Sequence, residues 1–342
     1  MNSIPFVSIL IPIRNEIKHI EHCLDAVLNQ DYPAGKMEIL IADGMSDDGT
    51  REILKLYMDQ HSQIRVYDNP RKVVATGLNL LISQTKGEVL IRVDGHTIVY
   101  PDYVRNCVEL LHTSVADNVG GRMDAKGENF IGNVVAIATS TPFGVGGARF
   151  HYSDQEEWVD TVYMGAWRRE VFTKIGVFDE ELVRNQDDEF NYRLRKFGGK
   201  ILLSPSIKSC YTPRGSIPEL WQQYFQYGFY KVRVLQKHPR QMSPRQFVPP
   251  LFVLSLLIFS ILAFFFPWGL SALSGLVILY ALANLITSLL VASREGWKYF
   301  FLLPLAFATL HLSYGTGFLM GLFRFWNRWR DPQGQVPEVK FD

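Results

Sequence analysis

Between Arg245 and Arg294 the chain runs for 48 consecutive residues without one Asp, Glu, Lys or Arg. An α-helix rises about 1.5 Å per residue, so about 20 apolar residues cross a hydrocarbon layer about 30 Å thick. The run therefore holds two crossings, and Pro267 and Gly269 in "FFFPWGLS" suit the turn between them. A second charge-free stretch extends from Tyr299 to Phe323. Spans are predicted near 250–266, 270–292 and 299–323. A buried core helix explains one such segment but not the whole run, so a C-terminal α-helical membrane region is expected. Over the full chain 35 Lys+Arg balance 34 Asp+Glu. That excludes the basic excess of a dedicated nucleic-acid binder.

Lys231, Arg233, Lys237, Arg240 and Arg245 precede the first span, and Arg294 and Lys298 lie between the second and third. By the positive-inside rule these place the N-terminal region on the cytoplasmic side. Three full crossings would then leave Arg324, Arg328 and Arg330 outside, against the same rule. The last segment contains Pro304, His311, Gly315, Gly317 and Gly321. It reads either as a crossing or as a broken, re-entrant helix with its tail inside. "MNSIPFVSILIPIRNE" has no basic n-region ahead of its short apolar part, so no secretory signal is expected. Cys23, Cys107 and Cys210 lack disulfide or metal spacing, as suits a reduced compartment.

The N-terminal half alternates short apolar runs with helix-like segments. "VSILIP" (7–12), "MEILIA" (37–42), "IRVY" (64–67) and "EVLIRV" (88–93) read as strands. Helical spacing falls at 16–29, after Thr50, and at 73–84. This order predicts an α/β fold with a mostly parallel, Rossmann-like sheet covered by helices. Such sheets bind ligands at the carboxyl ends of their strands. The polar residues gather there: Arg14, Asn15 and Glu16 after the first run, and Asp43, Ser46, Asp47, Asp48 and Thr50 after the second. Asp94, Gly95 and His96 follow the fourth. Asp48 or Thr50 can instead cap a helix. Neither GxGxxG nor a Walker loop follows the first strand, which argues against ordinary dinucleotide and P-loop sites.

"VSILIPIRNE…IADGMSDDGT…GEVLIRVDGHT" resembles the opening of a family 2 glycosyltransferase of the GT-A fold. "VDTVYMGAWRREVFTKIGVFDEELVRNQDDEFNYRLRKFGGK" resembles that family's acceptor half, and "LWQQYFQYGFYK" the segment that membrane-bound members place before their first span. The similarity is to the exopolysaccharide branch typified by succinoglycan glucosyltransferase, which also carries Asp-x-His and a short membrane region. It implies a cytoplasmic GT-A catalytic domain over 1–215, amphipathic interfacial helices over 216–246, a membrane region over 247–323 and a polar tail over 324–342.

On this resemblance Asp94 and His96 hold a divalent cation, Mn²⁺ or Mg²⁺, that bridges the donor diphosphate. A carboxylate and a neutral imidazole both suit Mn²⁺, whereas Mg²⁺ prefers oxygen. The two side chains reach one ion if the backbone stays extended; His96 can otherwise hydrogen-bond a phosphate. The donor site implied is Pro12, Arg14, Asn15, Glu16, Asp43, Ser46, Asn79 and Asp94, with Asp43 at the nucleobase. Asn79 also reads as a helix-surface amide, and Arg14 as the partner of a surface carboxylate. The family's Glu-Asp falls on Gln186–Asp187, which nominates Asp187 as general base and leaves Asp188 as the alternative. Trp167, Arg214, Gln223, Gln226 and Tyr227 are expected on the acceptor or diphosphate side, although Trp158 and Trp167 read equally as core. "STPFGVGGARF" (140–150) reads as a flexible loop.

The function implied is inverting transfer of a sugar from a nucleotide-diphosphate donor, UDP-linked and UDP-glucose foremost, to a lipid-linked saccharide. The expected place is a multi-pass protein of the inner cell membrane. A processive polysaccharide synthase and a polyprenyl-phosphate sugar transferase are the alternatives of the same class. A noncatalytic membrane assembly or transport protein is the alternative of another class.

Overall fold

The structure, a computed structural model, describes residues 4–330. Its elements begin with β1 (Val7–Ile13), α1 (Ile20–Leu28), β2 (Met37–Asp43), α2 (Thr50–Gln60), β3 (Ile64–Asp68) and α3 (Val74–Ser83). β4 (Val89–Arg92), β5 (Thr97–Val99), α4 (Tyr103–Thr113), β6 (Asn118–Ala125), α5 (Phe130–Thr139) and α6 (Pro142–Val145) follow. Next come β7 (Glu157–Trp158), β8 (Tyr163–Arg168), α7 (Glu170–Ile175), α8 (Gln186–Lys196) and β9 (Ile201–Tyr211). Four helices close the order: α9 (Ile217–Lys237), α10 (Val248–Phe265), α11 (Pro267–Glu295) and α12 (Leu303–Arg324). The described residues form two compact units. One comprises 4–124 with Tyr152–Tyr211, the other Ala125–His151 with 212–330.

In the first unit β1 to β4 are parallel, in the order β3-β2-β1-β4. Every residue of β2 and nearly every residue of β1 is buried, as a strand covered on both faces requires. Ile13 pairs with Asp43, and Asp43 with Asp68, so these strands end in line. The sheet continues as β8-β6-β9-β5, with β8 antiparallel to β4, giving a mixed, helix-covered sheet. α1 buries Ile20, Cys23, Leu24 and Val27 at helical spacing. It starts at Ile20 rather than at 16 because residues 14–19 are held in the loop by turn bonds and by Thr50.

The second unit is helical and includes residues 125–151, which the sequence reading groups with the strands. The glycine-rich 140–150 stretch is not a loose loop. It forms α6 and a 3-10 turn, and Phe143 meets the rings of Phe307 and His311 edge-on. Among the described residues three helices are long and apolar enough to cross a membrane: Pro244–Phe265, Pro267–Glu295 and Leu303–Arg324. α12 is unbroken, with Pro304 in its first turn where no intrahelical donor is lost. Its glycines let backbones touch. A Cβ on Gly317 would lie 2.1 Å from the Phe225 oxygen, and one on Gly315 2.5 Å from the Pro249 oxygen.

Gly121 tests how tightly the strand unit closes, since a Cβ there would sit 1.7 Å from the Ile207 carbonyl oxygen. Gly121→Ala is expected to cost at least the ~1–3 kcal/mol typical of overpacking. Gly35, with nothing within 4 Å of its Cβ position, should tolerate Ala within about 0.5 kcal/mol. Thermal unfolding of both variants in detergent measures the contrast.

Candidate active site

The aligned ends of β1 and β2 deliver two loops that are laced to each other. Asn15, in the left-handed region at φ 58°, donates its main-chain N–H to Ser46 Oγ at 2.8 Å and its amide to Asp47 Oδ1 at 2.9 Å. Ser46 Oγ donates in turn to Asp43 Oδ1 at 2.6 Å. The Glu16 N–H donates to Thr50 Oγ1, and the Ile17 N–H to Asp48 Oδ2. Burial opposes ionisation of Asp48, but donors from Thr50 and Ile17 outweigh it and lower its pKa. The α2 N-cap itself is Gly49, at φ 102°. The polar cluster after β2 is therefore mainly a loop lock rather than a set of free ligands. Asp43 is fully buried, and Arg51 Nη1 lies 3.1 Å from its Oδ2. Arg14 is exposed and has no carboxylate partner among the described residues.

Beyond β4 the chain does not stay extended. Gly95 and His96 form a turn in which the Thr97 N–H donates to the Asp94 carbonyl at 2.9 Å. Gly95 is needed there, since a Cβ would lie 2.5 Å from Ile13 Cγ2. The turn separates the partners of Asp94 and His96. Arg92 Nε donates to Asp94 Oδ1 at 2.8 Å, and His96 Nδ1 lies 3.1 Å from Glu16 Oε1. A carboxylate on Nδ1 favours the tautomer with a bare Nε2, the usual arrangement behind a metal-binding imidazole. Among the described residues no group of three or more His, Cys, Asp or Glu could hold an ion. The turn thus removes the extended backbone on which a shared ion was expected; what the structure retains is the donor chemistry, a carboxylate and an imidazole, to which diphosphate oxygens and water would add a cation's remaining ligands.

Asp187 sits in the first turn of α8, after Asn185 at φ 62°. Its Oδ1 accepts the Asp188 N–H at 2.9 Å. Burial and the Asp188 charge push its pKa up, Arg92 pulls it down, and Asp94 adds to the rise; the net shift is upward. Arg92 is buried too. Burial opposes its charge, yet Asp94 and Asp187 together hold it protonated. The third acid of the trio has another task. Glu189 Oε1 accepts from Arg193 Nε at 2.6 Å, and Arg193 also donates to the carbonyls of Ile175 and Val177. Gln186 is buried, where a glutamate would have to hide a charge.

Asn79 and Trp167 are engaged within the protein. Asn79 is a clasp: its amide donates to the Phe178 carbonyl at 2.8 Å and to Glu180, and it accepts the Phe178 N–H at 2.9 Å. Trp167 is 3% exposed and packs edge-on against Phe172, Phe178 and Phe190, so it offers no face to a sugar. Trp158 is the exposed one of the pair. Arg214, Gln223, Gln226 and Tyr227 belong to the helical unit, where Gln223 Nε2 donates to Tyr227 within α9. Pro12 lies in β1, paired with Ala42.

Residues not anticipated complete the cluster. Tyr163 shares a 2.6 Å hydrogen bond with Thr97, and burial and Asp94 raise its pKa. Tyr211 meets His96 edge-on at 5.4 Å, and buried Cys23 points its thiol at the Asp94 carbonyl. Arg92 left a trace in the sequence, a cation inside "VLIRV" two residues ahead of Asp94. The tyrosines left none.

A model of glycosyl transferase family 2 matches residues 8–176. The chain is 29% identical over 336 residues to dolichyl N-acetyl-alpha-D-glucosaminyl phosphate 3-beta-D-2,3-diacetamido-2,3-dideoxy-beta-D-glucuronosyltransferase of Methanococcus voltae, covering 93% of this chain and 98% of that one. It is 30% identical over 232 residues to succinoglycan biosynthesis protein ExoA of Rhizobium meliloti (strain 1021), covering 67% and 70%. Among solved structures, mannosyltransferase PcManGT from Pyrobaculum calidifontis, in complex with GDP-Man and Mn²⁺, superposes with a TM-score of 0.61 at 19% identity. That superposition covers 94% of this chain and 88% of that one, and it shares the GT-A fold.

The Asn79 clasp predicts a stability defect. Asn79→Ala strips partners from both main-chain groups of Phe178 and should destabilise the protein by about 1–3 kcal/mol. Donor affinity of the folded fraction should be retained. Thermal unfolding and donor titration on the same preparation separate the two effects.

Proposed function

The chain belongs to glycosyltransferase family 2, and from that premise we propose that it transfers a hexosyl group from a UDP-linked donor, UDP-glucose foremost, to a lipid-linked saccharide with inversion. The observation that carries the reading is the electrostatic group in which buried Arg92 lies between half-buried Asp94 and Asp187, beside Glu16 and His96. Support for the acceptor comes from the Methanococcus voltae relative, whose name specifies a dolichyl phosphate-linked substrate, and from three helices of membrane length. A lipid-linked acceptor lies where such helices would anchor the enzyme. The basic residues flanking the apolar run support a catalytic domain at the cytoplasmic face of the inner membrane.

In this mechanism an acceptor hydroxyl attacks the anomeric carbon opposite the diphosphate. The carbon–oxygen bond to the diphosphate breaks, and Asp187 takes the hydroxyl proton. Its raised pKa makes it a stronger base than an ordinary carboxylate. Asp188 is the alternative base on the same turn. Arg92 holds the Asp94 carboxylate in place through their ion pair without itself facing bulk water. Asp94 and His96 would hold the divalent cation, Mn²⁺ or Mg²⁺, which neutralises the leaving diphosphate. Glu16 fixes the His96 ring, exposed Arg14 is available to the diphosphate, and the Asp43–Ser46–Asn15 lock shapes the nucleotide floor beside Pro12.

The test is release of nucleoside diphosphate by purified protein in detergent with Mn²⁺, a lipid extract, and UDP- and GDP-sugars in parallel. Asp187→Asn should lower turnover about 10²–10⁴-fold; undiminished release would sink the assignment of the base. The acid limb of kcat/KM should lie above the ordinary Asp pKa of about 3.9. Asp188→Asn removes the neighbouring negative charge, so Asp187 should stay ionised to lower pH and the limb should move down.

A further inference from the structure

α9 and α12 lie side by side and run in the same direction along their whole length. Leu220 packs in one cluster with Phe307 and Leu310. Further on, a Cβ at Gly228 would meet the Tyr314 oxygen, and Phe229 borders Gly321 and Phe325. At the far end Gln236 donates to the Phe325 carbonyl at 2.7 Å, and Arg233 to that of Arg328 at 3.4 Å. Any tilt that carried α12 through a bilayer would therefore carry α9 with it. α9 is not built for that. Glu219 and Gln222 are exposed near its start, and Lys231, Arg233 and Lys237, although buried among protein neighbours, would put three cations within about 9 Å of helix at the depth of the bilayer.

The contacts of α12 with the α10–α11 hairpin agree. Gly315 abuts Pro249 and Val253, and Phe318 meets Phe247. His311 of α12 lies against Tyr280 of α11, and Asn284 of α11 donates to the Pro304 carbonyl. Phe252 stacks on Tyr280 at 4.5 Å, so these contacts share one level. That level is about 14 residues, roughly 20 Å, from the hairpin tip at Phe266. α12 thus crosses the foot of the hairpin instead of climbing beside it. The hairpin helices are sheathed in exposed apolar side chains, whereas half of the most apolar window of α12 is buried.

We propose that α12 is not a third crossing but a surface helix, seated in the headgroup region of an anionic phospholipid bilayer at the foot of a two-span hairpin. Its uncovered strip, Leu305, Met320 and Phe323, faces the acyl boundary, and exposed Trp297, Trp326 and Trp329 suit the adjoining interface. Arg240, Arg245, Arg294, Lys298 and Arg324 then lie on one side, which removes the conflict with the positive-inside rule. Only residues 212–216 separate β9 from α9, at most about 18 Å of chain, so the catalytic unit lies on that side too. The proposal does not depend on the chemistry of transfer.

Sidedness can be read in the full-length protein from single cysteines, with a membrane-impermeant maleimide on sealed right-side-out and inverted vesicles. The background is Cys210→Ser, since Cys23 and Cys107 are buried. Lys55→Cys marks the catalytic unit, Ser271→Cys the hairpin tip, and Asn327→Cys the segment after α12; all three positions are exposed. Each variant must react in detergent and unfold at the same temperature as the Cys210→Ser parent. The expected result is that Asn327→Cys reacts from the same face as Lys55→Cys, and Ser271→Cys from the opposite face. Reaction of Asn327→Cys from the Ser271→Cys face overturns the surface helix, and reaction of Ser271→Cys from the Lys55→Cys face overturns the crossing hairpin.

Discussion

A guanidinium buried between two carboxylates organises the catalytic unit. Arg92 cannot be hidden alone, because an uncompensated charge in a low-dielectric interior costs far more than any packing it gains. Asp94 on its own strand and Asp187 on α8 supply the compensation. The arrangement is asymmetric. Asp94 holds the guanidinium directly at 2.8 Å, whereas Asp187 feels it against burial and the neighbouring Asp188. One carboxylate is thereby paired with the guanidinium, and the other retains affinity for a proton. A single arginine thus sets two neighbouring carboxylates in different electrostatic surroundings.

The rest of the strand unit serves to hold that group still. Parallel register brings β1, β2 and β3 to a common end, and the hydrogen bonds among Asn15, Ser46, Asp43, Thr50 and Asp48 stiffen the loops that emerge there. On the other flank, Glu189 and Arg193 tie the first turn of α8 to the carbonyls of Ile175 and Val177. Asn79 joins α3 to Phe178 on the same connection. Much of the polar chemistry at the strand ends therefore positions backbone, and only a few side chains are left for substrate.

This division explains what could be read from the chain. The four parallel strands were legible because each is a short, continuous apolar run, and the polar loops could be placed at their ends by fold logic alone. Asp94, His96 and Asp187 stood out as acids and an imidazole at strand and helix termini. Asn79 did not disclose its role, because that depends on Phe178, a partner 99 residues along the chain. Nor could the Asp-Gly-His backbone be read. Whether Gly95 extends or turns is decided by its contact with Ile13, a residue of another strand.

The apolar C-terminal stretches carry the same lesson in lipid. Hydropathy reports that a helix avoids water, not what replaces the water. α10 and α11 leave their apolar side chains uncovered, and only hydrocarbon can satisfy that surface. α12 meets the same compositional test, yet it spends that apolar surface on α5, α6, α9 and the hairpin foot. The glycines that suggested a broken helix in fact mark where neighbouring backbones come within contact, at Gly315, Gly317 and Gly321. A helix that needs glycine to admit a charged neighbour such as α9 is acting as part of a protein interior. Its small residues and its neighbour's charges have to be read together, because only the pair excludes the bilayer core.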